Sequence, residues 1–265
     1  MDLNALREIG RSVYLKVSGL RIKGEAPMER GAGGDRTFPV DKIAEDAILR
    51  GLEALKEPFS VVTEEAGVLE IGRGEARKLV VIDPIDGSKN AVAGIPYFGA
   101  SIAVALGDTI GSIALGYVIN LVNGEEFMAE RGRGASQNGV PLRSQADGVL
   151  YLTAYEAQSP ARDLKKILPL LEASRKTRCL GAIALDLAYV ASGAASILVN
   201  PAPSRSFDFA AGYLLVREAG GIFTDTGGRS IESGELGIGR GASLLAAGNS
   251  TLHEAALKLL HGQQT

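Results

Sequence analysis

Cysteine, histidine and tryptophan are scarce in this chain, and each scarcity argues against a kind of chemistry. Of 265 residues, one is cysteine, two are histidine and none is tryptophan. Cys179 alone cannot form an internal disulfide, and the sequence has no Cys/His cluster with zinc-ligand spacing. His253 and His261 both fall in a final amphipathic segment. Unless that segment folds back into the site, a Ser-His-Asp triad or a histidine-ligated metal is not expected.

Long apolar runs and a strong charge of either sign are also missing. No run approaches the roughly 20 apolar residues needed to cross a bilayer, and the first residues lack the basic-then-apolar order of a signal peptide. The net charge of −3 argues against a nucleic-acid or anionic membrane surface. We therefore expect a globular protein of the reducing cytoplasm, without nucleic-acid or membrane partners.

The stretch Lys78–Asn90 contains an unbroken apolar run followed by two carboxylates. Leu79–Ile82 is rich in β-branched residues, which predicts a strand buried on both faces. Pro84 cannot donate to a β-ladder and forces its predecessor out of the helical region. The strand is therefore expected to stop at Asp83.

A turn and a short helix are predicted directly after this strand. Gly87 permits the turn, and Ser88 is a suitable N-cap for a helix running to about Ala93. Carboxylates hold hard cations, and free backbone N–H groups hold phosphate oxygens, so Asp83 and Asp86 favour a cation-bridged phosphate here. An isolated D-P-x-D-G is as often structural as functional, so the rest of the chain decides.

The beginning of the chain predicts two helices separated by a long loop. Apolar residues at helical spacing begin at Leu3. The glycine-rich segment 19–38 that follows is either a solvated loop or a mobile flap over a site, and its length favours these two readings. Asp41 is expected to open the second helix as its N-cap.

A second strand also delivers acids at its carboxyl end. Phe59–Thr63 reads as a strand, and Glu64 and Glu65 follow it directly. Adjacent acids are more often solvated than functional. Ligand sites of α/β sheets nevertheless prefer the carboxyl edge, where this strand resembles Leu79–Ile82.

The remaining pattern divides the chain into two halves of different architecture. Strands at 99–106, 110–120 and 125–130, with the Asn138-Gly139 hairpin signal, predict an antiparallel meander. From Val149 onward strands and helices alternate, which predicts an α/β half. We therefore expect an α/β (α+β) protein with intimate halves at 1–147 and 148–265.

Asp208 is another acid at a predicted helix start. It follows a loop made rigid by Pro201 and Pro203, and the helix is predicted over 209–219. Its ordinary role is that of an N-cap. It completes a set of acids, most of them at predicted element ends and three at predicted helix starts, namely Asp41, Glu64, Glu65, Asp83, Asp86 and Asp208. Oxygen ligands without His or Cys select Mg²⁺, Mn²⁺ or Ca²⁺, and paired ions of this kind support in-line phosphoryl displacement.

Three separated motifs resemble the inositol monophosphatase-like, metal-dependent phosphomonoesterases. They are the Glu64-Glu65 pair, Asp83-Pro84-Ile85-Asp86-Gly87-Ser88 with Asn90, and Phe207-Asp208-Phe209-Ala210-Ala211-Gly212. Their order and spacing are similar over nearly the whole chain, most of all to the archaeal branch, which hydrolyses inositol monophosphate and fructose 1,6-bisphosphate. Ser88 stands where the family has threonine, and Phe207 where it has tryptophan.

The resemblance implies a layered αβαβα sugar phosphatase that uses two or three Mg²⁺ ions, with Mn²⁺ as a substitute. Its implied metal ligands are Glu64, Asp83 and the Ile85 carbonyl for the first ion, and Asp83, Asp86 and Asp208 for the second. Glu64, with Asp41 acting through water, would serve a weaker third ion. Ser88 and Asp41 would orient and help deprotonate the attacking water, and the Gly87 and Ser88 N–H groups would bind phosphate.

The sugar or inositol phosphate itself is the least specified partner. A second phosphate needs cations, for which Arg178 and Arg205 are the first candidates, followed by Lys176 and Tyr155. A surface salt bridge is an equal alternative for either arginine. The archaeal branch also often has an arginine where this chain has Ala93-Gly94. The family implies a homodimer.

Other functions remain open at this stage. Within the family, a 3′-phosphoadenosine 5′-phosphate or NADP phosphatase is possible, and a non-catalytic metal-binding relative is the alternative from another class. A haloacid-dehalogenase-type site needs Asp-x-Asp, but Ile85 occupies the middle position. The glycine-rich run 237–242 suggests a dinucleotide motif, yet no suitable strand and helix flank it, so a loop is the better reading.

Overall fold

Two β-sheets alternate with layers of helices in an αβαβα sandwich, the fold class expected from the sequence. The computed structural model describes residues 1–262. Within this range the helices are α1 Leu3–Val17, α2 Pro39–Ala54, α3 Ser88–Ala93, α4 Pro160–Ala173, α5 Ile183–Ala191, α6 Ser206–Glu218 and α7 Ser250–His261. None of these described helices is both long and apolar enough to span a membrane.

The strands form one sheet of eight and one of five. They are β1 Phe59–Thr63, β2 Gly67–Ile71, β3 Leu79–Asp86, β4 Gly99–Ala105, β5 Ile113–Asn120, β6 Glu126–Glu130, β7 Gly134–Gln137, β8 Val140–Pro141, β9 Leu152–Tyr155, β10 Lys176–Arg178, β11 Ile197–Asn200, β12 Ile222–Thr224 and β13 Leu244–Ala247. The first sheet has the order β2-β1-β3-β4-β5-β6-β7-β8, and the second β10-β9-β11-β13-β12.

The predicted antiparallel meander is confirmed for β4 to β8. The strand β3 extends it by one antiparallel pair, and β1 beside it pairs parallel. Each strand from β3 onward pairs antiparallel with the next, whereas β1 pairs parallel with β3. Asn138 and Gly139 have φ of 51° and 80°, the left-handed conformations of a type I′ hairpin. The strand predicted from Ile110 begins at Ile113, because Ile110–Ser112 forms a 3₁₀ turn.

The second sheet confirms the predicted alternation of strands and helices. β9, β10 and β11 are parallel, with α4 and α5 as the connecting helices, and β12 and β13 add antiparallel pairs. α5 and α6 lie between the sheets, α1 and α2 cover the outer face of the first, and α4 and α7 cover the second. The middle core joins residues of both halves. The division at 147 and 148 stays a prediction.

Gly10 lies where α1 packs against β5, and its lack of a side chain sets the spacing of that layer. A Cβ at this position would overlap the ring of Tyr117. The ring is fixed, because its hydroxyl donates to buried Glu126 at 3.0 Å, and Glu126 also accepts from Arg7 and Arg11. Any side chain larger than hydrogen at residue 10 would therefore clash with this ring.

We expect Gly10→Ala to lower the free energy of unfolding by about 2 kcal/mol through overpacking. Gly19→Ala is the matched control, since no heavy atom lies within 4 Å of its added Cβ. Urea denaturation of both variants measures the difference. Equal midpoints would contradict the proposed close contact.

Candidate active site

Parallel pairing of β1 and β3 places three carboxylates at one edge of the first sheet. Thr63 at the end of β1 pairs with Ile82 in β3. Glu64 and Glu65 follow Thr63, and Asp83 follows Ile82. The register therefore agrees with the expectation that both strands deliver their acids at the same edge.

A β-bulge carries β3 beyond the point where the sequence predicted its end. Asp83 pairs with Ser101 and Asp86 with Gly99, so three steps along β3 oppose two steps along β4. Pro84 lies inside the bulge, one of the positions in a sheet that tolerate a residue without an N–H. The prediction that the strand stops at Asp83 was wrong for this reason.

Gly87 turns the chain from β3 into α3. It is the N-cap residue, with φ of 90° and ψ of 34°, so the predicted N-cap at Ser88 was wrong by one residue. A Cβ on Gly87 would approach the carbonyl oxygens of Gly181 and Tyr97 to 3.1 and 3.2 Å. Ser88 is the first helical residue, and its hydroxyl donates to the Ile85 carbonyl at 3.1 Å. Both conformation and space therefore require glycine at 87.

Asp86 connects the bulge to the second half of the chain. Its Oδ1 accepts from the Ile183 N–H at 3.0 Å and its Oδ2 from the Ala184 N–H at 2.7 Å, at the start of α5. Asn90 adds to this connection, because its Nδ2 donates to the Leu180 carbonyl at 2.6 Å. A carboxylate offers about four lone pairs, so Asp86 retains acceptor capacity toward a further ligand.

Asp208 lies in the first turn of α6, beside a buried arginine. It is the third residue of the helix, and its Oδ2 accepts from the backbone N–H of Arg205, the actual N-cap residue, at 3.0 Å. Arg205 is 6% exposed. Its Nη1 donates to Asp35 Oδ2 at 2.6 Å and lies 3.9 Å from Glu64 Oε1, so nearby carboxylates balance its charge.

Asp41 occupies the equivalent position in α2. The helix begins at Pro39 with Phe38 as N-cap residue, so the prediction that Asp41 is the N-cap was wrong. Asp41 Oδ2 accepts from the Phe38 N–H at 2.6 Å. Its Oδ1 is buried without a hydrogen-bond partner among residues 1–262. Burial raises the pKa of Asp41 to about 7, although the Phe38 N–H and the Ser88 hydroxyl favour the charged form.

The segment 19–38 lies against the end of β1. The Ala32 N–H donates to the Glu65 carbonyl at 3.0 Å, and the Gly33 N–H to the Glu64 carbonyl at 2.8 Å. The Thr37 hydroxyl donates to Glu65 Oε2. Glu65 thus fastens this segment, and the flap movement stays a prediction.

The buried acids raise one another's pKa. For Glu64, Asp83 and Asp86, loss of solvation is the main cause, followed by repulsion from neighbouring carboxylates, and all three pKa values lie well above the usual range. Burial also raises the pKa of Asp208, to about 6, against the opposing effect of Arg205. Four acids in mutual repulsion form a site that favours a cation.

A cavity of about 170 Å³ brings most of the predicted residues together. The predicted residues that line it are Glu64, Asp83, Ile85, Asp86, Gly87, Ser88, Arg205 and Asp208. Asp41, Tyr155 and Arg178 are not in its lining. Arg178 donates to the Thr177 carbonyl at 2.8 Å and lines a separate small cavity with Asp186. The substrate roles of Tyr155 and Arg178 stay predictions.

The donor chemistry of this cavity fits a hard divalent cation. Asp83 is 3% exposed, and its Oδ1 has no hydrogen-bond partner among the described residues. No group of three or more His, Cys, Asp or Glu side chains within residues 1–262 stands in metal-binding geometry. The fit therefore rests on charge and oxygen donors, which suit Mg²⁺ or Mn²⁺.

Comparison with protein-family models gives a match over residues 16–265, to the inositol monophosphatase family. The chain belongs to this family. It is accordingly a phosphatase, and the family is metal-dependent. The resemblance inferred from three motifs is thereby confirmed for the fold and the class of enzyme.

Several known proteins are similar to this chain over most of its length. A fructose-1,6-bisphosphatase/inositol-1-monophosphatase of Methanothermobacter thermautotrophicus is 35% identical, covering 88% of this chain and 86% of its own. A solved inositol monophosphatase–fructose 1,6-bisphosphatase superposes with a TM-score of 0.84 at 26% identity, covering 98% of this chain and 100% of its own. A bifunctional NADP phosphatase/NAD kinase of Methanococcus maripaludis is 28% identical over 96% of this chain and 47% of its own length.

Sequence reasoning missed several residues of this inositol monophosphatase-type cavity. They are Asp35, Arg36, Phe38, Lys89, Glu156, Gln158, Gly181, Ile183 and Arg240. Lys89 lies within the stretch Lys78–Asn90, next to Ser88, so its position in the sequence could have indicated a role in the site. Arg240 lies in the glycine-rich run 237–242. An isolated antiparallel β-bridge between Arg240 and Arg205 holds this loop beside the cavity. No local sequence pattern predicts a contact between segments that lie this far apart in the chain.

Proposed function

We propose that this chain is a Mg²⁺-dependent phosphomonoesterase of sugar and inositol phosphates, with fructose 1,6-bisphosphate and inositol 1-phosphate as its substrates. The main support is the set of mutually repelling carboxylates of Glu64, Asp83, Asp86 and Asp208 around one cavity. The name of the Methanothermobacter relative supports the substrate pair. Mn²⁺ is a suitable substitute for Mg²⁺.

The metal ligands in this proposal come from one edge of the first sheet and from the first turns of helices α2 and α6. Glu64, Asp83 and the Ile85 carbonyl would hold one ion, and Asp83, Asp86 and Asp208 a second, with Asp41 serving a third through water. When bound, these ions supply the Lewis acidity that activates water for in-line attack and offsets the phosphate charge. The partnerless Oδ1 of Asp83 is available for this purpose.

The chain's own groups position the substrate and move a proton. In the proposal the backbone N–H groups of Gly87 and Ser88 bind the scissile phosphate, with Arg205 beside it. The Ser88 hydroxyl orients the attacking water, and Asp41 receives the proton at its partnerless Oδ1. A carboxylate with a pKa near 7 is well matched to proton transfer at neutral pH. Ser88 positions the water and forms no phosphoenzyme.

Two alternatives remain within the reach of the same site. The name of the NADP phosphatase/NAD kinase relative favours a nucleotide phosphate as the substrate. A non-catalytic metal-binding protein would keep the carboxylates without turnover. The proposal also includes a homodimer, which the family resemblance implies, and a cytoplasmic location, which the single cysteine of the sequence favours.

The deciding experiment is phosphate release from fructose 1,6-bisphosphate, inositol 1-phosphate and NADP, with Mg²⁺ and after chelation. We expect turnover of the first two substrates and loss of at least about 100-fold without divalent ions, because the repelling acids then remain uncompensated. Release from NADP alone would replace the sugar substrates by the nucleotide. Metal binding without release from any of the three would support the non-catalytic alternative.

A further inference from the structure

Four cations line the cavity, and they differ in how their charge is balanced. They are Arg36, Lys89, Arg205 and Arg240. Arg205 forms ion pairs with Asp35 and Glu64. Within residues 1–262, by contrast, Arg36, Lys89 and Arg240 have no carboxylate oxygen at ion-pair distance, and of these three only Arg240 is held by side-chain hydrogen bonds, both to neutral oxygens. Arg240 therefore brings a net positive charge to a cavity otherwise dominated by acids.

The loop that carries Arg240 is fixed to the entry of α6. The Gly241 N–H donates to the Ser204 carbonyl at 2.8 Å, and the Ser204 N–H donates to the Ala242 carbonyl at 2.8 Å. The Arg240 Nη1 donates to Gln158 Oε1 and to the Pro203 carbonyl, both at 3.0 Å. Both contacts use the same nitrogen, which leaves Nε and Nη2 for the fork-like binding of an oxyanion.

The charge of Arg240 acts on the acids of the site. It lowers the pKa of Asp208, against the larger effect of burial, and it also favours the charged form of Asp35. Arg240 also lines the same cavity as the proposed metal ligands, so its guanidinium and these acids can contact one substrate. Arg178, the sequence candidate for an anion contact, lines a different cavity.

We infer that Arg240, with Gln158 beside it, binds a second anionic group of the substrate and thereby lowers KM for those phosphate esters that carry a second phosphate. The inference rests on the proposed phosphatase function. It adds the residue that binds the phosphate of the substrate that is not hydrolysed. The second phosphate comes from a sugar bisphosphate or from the diphosphate of a nucleotide, and the chemistry recognised is the same in both.

The test compares KM values for fructose 1,6-bisphosphate, inositol 1-phosphate and NADP in the full chain with Mg²⁺. We expect Arg240→Ala to raise KM for the bisphosphate about tenfold or more and KM for the monophosphate less than threefold, since only the former loses a charged contact. Arg240→Lys should recover part of the loss. Arg133→Ala, an exposed arginine outside the cavity, is the matched control, and thermal melts verify folding.

Each outcome has a separate meaning. Equal KM changes on the mono- and bisphosphate, or a selective loss in Arg178→Ala with none in Arg240→Ala, would overturn the inference while leaving the phosphatase function intact. A selective loss with NADP instead of the sugar would support it and assign the second phosphate to a nucleotide. Failure of the unmutated chain to release phosphate from any of the three substrates would overturn the proposed function itself.

Discussion

Replacing Asp83 by asparagine is expected to lower kcat by about 1,000-fold or more while the fold is retained, because one carboxylate is proposed to serve two metal ions. Asp83 is buried at the sheet edge, with an oxygen that no described residue satisfies. An amide has nearly the same shape but supplies no negative charge. Phosphate release with Mg²⁺ measures the loss, and circular dichroism verifies the fold.

A second measurement separates a catalytic effect of Asp83→Asn from a structural one. Without divalent ions the variant should melt at a higher temperature than the unmutated chain, since one of several repelling buried charges is gone. Adding Mg²⁺ should raise the melting temperature of the unmutated chain more than that of the variant. The control is Asp46→Asn, because Asp46 is exposed and forms only a surface ion pair with Arg50. A variant of unmutated activity would exclude Asp83 from the site.

The metal-free protein is expected to lose stability as the pH rises from about 4 to about 8. An acid whose folded pKa is raised holds its proton more tightly in the folded than in the unfolded chain, so the unfolding free energy falls across that interval. Asp41 alone, shifted by burial from 3.8 to about 7, corresponds to roughly 4 kcal/mol. Asp208, shifted to about 6, and Asp186, shifted to about 8, act in the same direction.

Urea denaturation with a chelator, repeated across this pH range, measures how steeply the unfolding free energy falls with pH. Mg²⁺ should make this slope shallower, because a bound cation favours the deprotonated acids and offsets their repulsion. Asp41→Asn should remove part of the slope, whereas Asp46→Asn should leave it unchanged. Stability that rises with pH in the metal-free protein would contradict the assignment of buried, repelling carboxylates.

The fold was largely predictable because its signals are local and repeated. Apolar runs located β3 and β4, and helical spacing located the amphipathic α1 and α2. β2, a half-exposed strand that pairs only at the sheet edge, was missed because its burial pattern is weak. Element ends were less predictable. Pro84 indicated a strand end, but a bulge accommodated it, which depends on the partner strand and not on the proline.

The carboxylates that line the cavity were predictable from the sequence, whereas Arg240 was not. Glu64 directly follows β1, Asp83 and Asp86 lie in the last part of β3, and Asp208 lies in the first turn of α6. All four belong to the motifs that resemble the family. Arg240 reaches the cavity through a loop 35 residues after Arg205, held by two backbone hydrogen bonds to Ser204. Such a position depends on how distant segments meet. Arg178 shows the converse, since a plausible residue in the sequence faces a different cavity.

The hydrogen bonds from α5 to Asp86 restrict how such a protein can be assembled in evolution. The acid comes from one half of the chain, and the amides that hold it come from the other. If a gene fusion replaced only one of the two halves, Asp86 would lose the α5 backbone N–H groups that orient it. Recombination within this fold should therefore preserve both halves together, so that the site is inherited as a whole.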